Sequence, residues 1–225
     1  VVQAPFKLLG NITMYKKDAL RILFDTSQKY KTELCGKNLL FVSIDTHKKV
    51  EFFEVVFNES NFLHITGVQR SKQSIDTSKK ISNYSKEFFN KCLSKRLKEE
   101  EIEFSDDGKT VLKLTVLPLV VNKNISAKMY GYYNGSNEIL YTEYLLGGVN
   151  ACLGFVKAKE RNVFVPNTLL KQDIRSITKH YNKIIATYRK DVRETLYNEC
   201  VYKAKKEDLS NYFFPEEYEY LKNII

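Results

Sequence analysis

LLFVSI (residues 39–44) and VEFFEVVF (residues 50–57) are two runs rich in β-branched and aromatic side chains, separated by the polar segment DTHKK. Residues of these two classes favour strands, and a short polar segment between two such runs is typical of a turn. We therefore predict a β-hairpin with His47 exposed at its tip. The chain then enters the segment NFLHITG, residues 61–67, which carries one of only 3 histidines in the sequence.

Helical periodicity is found on both sides of the hairpin. Apolar residues recur at helical spacing over residues 11–31, where Asn11 is placed to cap the helix, and again over residues 82–97. Residues 168–176 have the pattern of a short helix. The other ordered segments are predicted to be strands: 110–121, 129–133, 139–144, 151–157, 163–165 and a final hairpin at 183–202. Pro118 places the end of the first of these at a sheet edge or bulge.

The sequence as a whole predicts one α+β domain spanning residues 1–225, because no internal repeat, low-complexity tract or linker divides it. No apolar run reaches the roughly 18–20 residues of a membrane span, and the first residues lack the pattern of a signal peptide. The 4 cysteines lie far apart without a Cys-x-x-Cys pair. We therefore expect reduced thiols in a cytoplasmic protein rather than disulfides or a zinc site.

The charge balance favours a phosphate-bearing partner. Lys and Arg number 36 against 27 acidic residues, which gives a formal net charge of +9. Neutralising phosphates releases counterions, so such an excess favours RNA or nucleotide binding, although a solvated lysine-rich surface gives the same count. The 15 Tyr and 14 Phe side chains could stack on bases or fill the core.

Several enzyme classes are disfavoured because their motifs are missing. The sequence has no Gly-x-x-x-x-Gly-Lys phosphate loop, no Gly-x-Gly-x-x-Gly, no His-Glu-x-x-His and no Gly-x-Ser-x-Gly. This disfavours nucleotide-driven motors, dehydrogenases and zinc hydrolases. What remains is metal-free acid/base chemistry on a phosphodiester, for which RNA supplies its own nucleophile in the 2′-hydroxyl.

His64 is the candidate acid or base, because the ordinary pKa of a histidine lies near neutral pH. The plain structural alternative is a half-buried histidine with a backbone partner. The reaction also needs cations around the phosphorane and hydroxyls that hold the phosphate. The sequence offers Lys113, Lys157, Lys171, Arg175 and Lys190 for the first role and Thr66 and Thr168 for the second. Each lysine alone is equally compatible with a solvated surface charge.

The segment NFLHITG resembles the Phe-x-His-Leu-Thr-Gly element of a phage-associated domain family in the barnase, EndoU, colicin and RelE-like nuclease group. Further pieces match in the same order: YTE at 141–143, ACLGFV at 151–156 and FVPNTLLKQDIR at 164–175. The run IIATYRK at 184–190 is similar to the last β-hairpin of that family. Together the matching pieces cover roughly residues 35–205.

The resemblance implies a fold and an activity. The implied fold is α+β, with helices packed on a twisted antiparallel sheet, a core at 35–205 and extensions at 1–34 and 206–225. The implied activity is that of a metal-independent endoribonuclease without a cofactor. In that scheme His64 is the acid/base, Thr168 the hydroxyl after the proline and Lys190 the cation that stabilises the transition state. We add as candidate substrate-binding residues Thr66, Lys113, Tyr141, Lys157, Lys171 and Arg175.

Three functional hypotheses follow. The first is an endoribonuclease of phage or mobile-element origin that cleaves RNA by transesterification through the 2′-hydroxyl, in conflict with a host. The second is a non-enzymatic protein of a mobile element that binds and inhibits a host defence or nucleic-acid-processing machine. The third is plain RNA binding, which needs the positive charge but no acid/base group. RNA is the expected partner of the first and third, and a host or phage protein is that of the second.

Overall fold

The computed structural model describes residues 6–7, 13–71, 81–136, 140–158 and 163–224. Within these residues the helices α1–α4 span Lys16–Glu33, Asn61–Thr66, Ile81–Leu93 and Lys109–Val120. The strands β1–β12 span Phe6–Lys7, Thr13–Met14, Lys37–Ile44, Val50–Val56, Gln69–Arg70, Ile102–Glu103, Met129–Tyr133, Tyr144–Gly147, Cys152–Lys157, Phe164–Leu170, Thr178–Asp191 and Glu199–Lys203. Short 3-10 turns occupy Glu99–Glu101, Ile174–Ser176, Leu209–Asn211 and Glu216–Asn223.

Seven of these strands form a closed barrel. Their order is β11-β3-β4-β10-β9-β8-β7, and β7 pairs again with β11 to close the ring. The ring can close because β11 is long. It has 14 residues, of which the first half pairs with β7 and the second half with β3. The β4–β10 pairing is parallel and the others in the ring are antiparallel, so the barrel is mixed.

The prediction of an α+β fold with helices packed on a twisted antiparallel sheet is wrong, because the sheet closes into a mixed barrel. The long strand β11 pairs on both sides, and the ring therefore has no open edge of the kind that an open sheet presents. The helices contact the barrel mainly through α2 and α4, which lie against β10. Among the described residues, more lie in strands than in α-helices.

The barrel interior and the helices share one hydrophobic core. The Phe53 ring lies at its centre, with ring centroids 4.6–6.0 Å away in a set contributed by four other strands: Tyr130, Tyr144, Phe155 and Phe164. The same core continues into the helices through Leu23, Phe62 and Leu114. A second cluster covers the outer face of β3 and β11 with residues of the C-terminal tail, among them Phe214. None of the helices in the described ranges is long and apolar enough to cross a membrane.

The local predictions have mixed outcomes. The hairpins at 39–57 and 183–202 are confirmed as β3–β4 and β11–β12, and the first predicted helix is confirmed as α1, whose predicted cap Asn11 lies outside the described residues. The predicted strand at 110–121 is instead α4, which is buried against other helices and tolerates Pro118 in its last turn. The predicted helix at 168–176 is also wrong, because β10 continues to Leu170.

The strands β4 and β10 are paired over only a short length of the barrel. The two strands share the single pairing of Val55 with Phe164 before β4 ends. The chain then turns into α2, which lies beside β10 where β4 is no longer present. The side-chain amide of Asn61 donates to the carbonyl oxygen of Pro166 at 3.2 Å and fixes this contact.

Candidate functional site

The helix α2 presents His64 to solvent and buries the residues around it. Phe62 and Ile65 are fully buried in the core, one helical turn apart, whereas His64 is exposed. The Thr66 side chain is also fully buried: its hydroxyl donates to the carbonyl oxygen of Leu63 at 2.7 Å and accepts from the backbone N–H of Val68 at 3.2 Å. The motif therefore holds the imidazole on a fixed helical turn.

Gly67 ends α2 and makes room for the side chain of Lys113 from α4. Its φ of 69° lies in the left-handed region that glycine adopts at little cost. A Cβ atom at this position would lie 2.6 Å from Lys113 Cδ and 3.5 Å from Lys113 Nζ. A hydrogen bond also joins the start of α4 to Gly67: the Thr110 hydroxyl donates to the carbonyl oxygen of Gly67 at 2.6 Å.

The Lys113 ammonium reaches the hydroxyl of Thr168 on β10. Its Nζ donates to Thr168 Oγ1 at 3.1 Å, and Thr168 is itself buried. The helix α2 with His64, the helix α4 with Lys113 and the strand β10 with Thr168 thus meet around Gly67. The Lys113 ammonium and the Thr168 hydroxyl are brought together there from two distant parts of the chain, and the Lys113 charge acts on the imidazole of His64.

The electrostatics of this site favour a neutral imidazole beside a cation. The pKa of His64 is lowered from its ordinary value of 6.5, first because the surrounding protein removes water from one side of the ring and second because of the Lys113 charge. Burial also lowers the pKa of Lys113 from 10.5; the charge of Lys109 acts in the same direction and that of Asp107 opposes it. At neutral pH the imidazole is therefore free to accept a proton.

A loop is fixed to β10 directly beside Thr168. A bulge between Pro166 and Thr168 leaves Asn167 as the extra residue of β10, and its side-chain amide donates to the carbonyl oxygen of Tyr141. The Thr142 hydroxyl lies 3.2 Å from Asn167 Oδ1. Gly154 on β9 allows this close approach, since a Cβ there would lie 2.5 Å from Thr142 Oγ1 and 2.7 Å from Thr168 Cγ2.

Comparison with protein-family models identifies the family to which the chain belongs. Residues 22–206 match the model of the phage-Barnase-EndoU-ColicinE5/D-RelE like nuclease 4 family. The chain belongs to this family. The match confirms the resemblance found in the sequence, and it supports a nuclease-like function for the domain. Comparisons with curated proteins and with solved structures found no match.

Four of the five pieces of sequence that carry the family resemblance converge in space. The segment with His64, the loop with Thr142, the strand with Gly154 and the bulge at Asn167 all meet beside Thr168. These segments lie far apart in the chain: the hydrogen bond from the side-chain amide of Asn61 to the carbonyl oxygen of Pro166 spans 105 positions. These four pieces therefore build one site.

Lys190 lies apart from this site. Its ammonium donates to the carbonyl oxygen of Thr195 at 2.9 Å and lies 4.6 Å from the centroid of the Tyr197 ring. Tyr197 belongs to the cluster on the outer face of the barrel, whereas Lys113 lies among the helices. The cation that the structure places beside Thr168 is Lys113, which the sequence offered only as one of several substrate-binding candidates.

The other predicted residues of this nuclease-like domain are at its surface. Lys157 and Lys171 are exposed at the ends of β9 and β10. The Arg175 guanidinium is held by Asp173, with Nη2 2.6 Å from Oδ2. Tyr141 is 77% exposed in the loop fixed by Asn167.

Several residues that build the site stand in the quoted segments but were not predicted as site residues, namely Asn61, Gly67, Thr142, Gly154 and Asn167. Their roles depend on contacts between distant segments. Lys113 had a usable signal: it is the only charged residue in the run TVLKLTVLPLVV at 110–121. Within the described ranges, no three His, Cys, Asp or Glu side chains are grouped so that they could hold a metal ion.

Proposed function

We propose that this chain is a metal-independent endoribonuclease whose active site consists of His64, Lys113 and Thr168. The observation that carries the proposal is a partly buried ammonium hydrogen-bonded to a hydroxyl, whose charge also lowers the pKa of an exposed imidazole. Membership of a nuclease-like family supports the same reading. The net charge of +9 suits a polyanionic substrate.

Each group has a chemical role in transesterification. The neutral imidazole of His64 takes the proton of the 2′-hydroxyl, and the 2′-oxygen attacks the adjacent phosphorus. The ammonium of Lys113 and the hydroxyl of Thr168 hold the non-bridging oxygens while negative charge grows on them. The bond from phosphorus to the 5′-oxygen then breaks. The products are a 2′,3′-cyclic phosphate and a 5′-hydroxyl. The 5′-oxygen takes a proton from water, and the hydroxide formed takes the proton that His64 holds, which restores the neutral imidazole.

The lowered pKa values fit these roles. A base must be unprotonated at the working pH, and a His64 pKa below 6.5 meets that requirement. Lys113 is the cation of the site, and burial lowers its pKa from the ordinary value of 10.5. The partly buried position of the ammonium strengthens its attraction to the phosphorane, because less water screens the charge.

The test is RNA cleavage by the purified protein in the presence of EDTA. The wild-type chain is expected to cut single-stranded RNA and leave 2′,3′-cyclic phosphate ends, and His64→Ala is expected to lose about 10²- to 10⁴-fold in rate. His47→Ala is the matched control, because His47 lies at the tip of the β3–β4 hairpin and is exposed. Wild-type protein that leaves total RNA and tRNA intact, or His64→Ala that cuts normally, would overturn the proposal.

A second candidate function is binding and inhibition of a host machine without catalysis. It is favoured by Phe213, which is 84% exposed in the tail beyond the residues matched by the family model. Its test is capture of one stoichiometric protein partner from host extract. Binding that survives His64→Ala but is lost in Phe213→Ala would select this function over the ribonuclease.

A further inference from the structure

Tyr141 is the most exposed aromatic residue close to the candidate active site. Its residue exposure of 77% is exceeded among the large apolar residues of the described ranges only by Phe213. A ring exposed to this degree stabilises the folded chain little, because it buries little area. Its backbone is fixed to Asn167, the chain neighbour of Thr168, and the exposed ring therefore calls for a different explanation from packing.

The backbone at Tyr141 is held in place although its ring is free. The bulge residue Asn167 donates its amide to the Tyr141 carbonyl oxygen, and Thr142 contacts both Asn167 Oδ1 and the Phe155 carbonyl oxygen at 3.2 Å. The loop also lies flat on Gly154, where any side chain would collide with Thr142. An aromatic side chain on a fixed backbone binds a flat partner with little loss of conformational entropy.

No aromatic ring, cation or side-chain hydrogen-bond partner contacts the Tyr141 ring among the residues that the structure describes. Other exposed tyrosines differ in this respect: the Tyr132 ring has its centroid 4.7 Å from that of Tyr144. One face of the Tyr141 ring is thus available to a ligand. The neighbouring Thr168 and Lys113 are suited to a phosphate, so the matching ligand for the ring is the base attached to that phosphate.

We infer that Tyr141 stacks on an unpaired nucleobase next to the scissile phosphate, and that the substrate of this site is single-stranded RNA. This inference rests on the proposed ribonuclease function. Every base has a π-face, so a single ring gives affinity without strong base preference. A base inside a duplex is already stacked on both sides and cannot reach the ring, which is why recognition of this kind selects loops, bulges and ends.

The experiment measures binding and not cleavage. In the His64→Ala background, fluorescence anisotropy is recorded for a short labelled RNA strand and for the same strand annealed to its complement. Tyr141→Ala is expected to weaken single-strand binding about tenfold or more, whereas Tyr141→Phe keeps the ring and stays close to the parent. Phe213→Ala is the control for loss of an exposed aromatic residue elsewhere and is expected to have no effect. The duplex is expected to bind more weakly than the single strand.

The outcomes separate this inference from the proposed function. Unchanged single-strand affinity in Tyr141→Ala would overturn the inference and leave the ring available to another class of partner, such as a protein. Equal affinity for strand and duplex would overturn the assignment to single-stranded RNA. If the wild-type protein cleaves no RNA while Tyr141→Ala still weakens binding, the proposed ribonuclease activity is overturned. The contact of Tyr141 with single-stranded RNA is then still supported.

Discussion

The ammonium of Lys113 lies 3.1 Å from the hydroxyl oxygen of Thr168, across 55 positions of the chain. The two residues come from α4 and β10, which are separated in the sequence by three other strands. Their contact passes over Gly67, the last residue of the segment that carries His64. This relationship is the geometric basis of the proposed active site, and the predictions below test its parts separately.

The Thr168 hydroxyl is expected to support both stability and catalysis. Thr168→Val keeps the volume but leaves the partly buried ammonium of Lys113 without this partner, at a cost of about 1–2 kcal/mol in the free energy of unfolding. RNA cleavage is expected to fall at least about tenfold, because one phosphate-holding group is lost. Thr168→Ser keeps the hydroxyl and is expected to stay close to wild type in both.

Urea denaturation and cleavage rates, measured on the same preparations, check this prediction. Thr115→Val is the control, since Thr115 donates only to the carbonyl oxygen of Leu112 within the helix that carries Lys113. Cleavage by Thr168→Val at the wild-type rate would remove the hydroxyl from the mechanism.

Gly67→Ala is expected to separate activity from backbone strain. Both Gly67 and Gly36 have a positive φ, 69° and 72°, so alanine costs about 1–2 kcal/mol of backbone strain at either position. Only at Gly67 does the new Cβ meet another side chain, 2.6 Å from Lys113 Cδ; at Gly36 nothing lies within 4 Å. The flexible lysine is expected to shift away from Thr168.

In urea denaturation Gly36→Ala should therefore lose the backbone strain alone, and Gly67→Ala should lose up to about 1–2 kcal/mol more with the Lys113–Thr168 contact. Cleavage of RNA is expected to fall clearly in Gly67→Ala alone. An equal loss of rate in Gly36→Ala would mean that the effect comes from stability and not from the position of Lys113.

The pH dependence of kcat/KM is expected to follow the two lowered pKa values. The rate should fall with decreasing pH only below 6.5, because the neutral imidazole of His64 persists to lower pH than in an ordinary histidine. It should fall again at alkaline pH, before 10.5 is reached, as Lys113 loses its proton. Lys113→Arg keeps its charge throughout this range and is expected to lose the alkaline decline.

A pH profile on one RNA oligonucleotide, with stability monitored across the range, checks these limbs. An acidic limb centred above 6.5 would require a raised His64 pKa and would contradict the assignment of His64 as a base that is neutral at physiological pH.

The sequence predicted those elements whose signal is local. The hairpin at 39–57 was readable because apolar runs, turn residues and β-branched side chains agree over a short distance. The helix α4 was not: its run of Val, Leu and Thr has strand propensity, and burial against α1, α2 and β10 overrides that preference. Closure of the barrel depends on β11 pairing with both β3 and β7, which no local pattern encodes.

The candidate site divides in the same way. His64 and Thr168 could be named from the sequence because they stand in short segments with family resemblance. Lys113 could not be placed, because its helix was predicted to be a strand and its contact with Thr168 is made only in the fold. Lys190 was assigned through resemblance, and the structure places its ammonium against Tyr197 and Thr195 instead of beside Thr168.

The most direct test of the proposed site compares two lysines on one substrate. The values of kcat/KM for RNA cleavage in EDTA are measured for Lys113→Ala and Lys190→Ala, with urea denaturation to establish that both variants are folded. We predict that Lys113→Ala loses about 10²- to 10³-fold and that Lys190→Ala stays close to wild type. A large loss in Lys190→Ala together with a normal rate in Lys113→Ala would contradict the proposed active site.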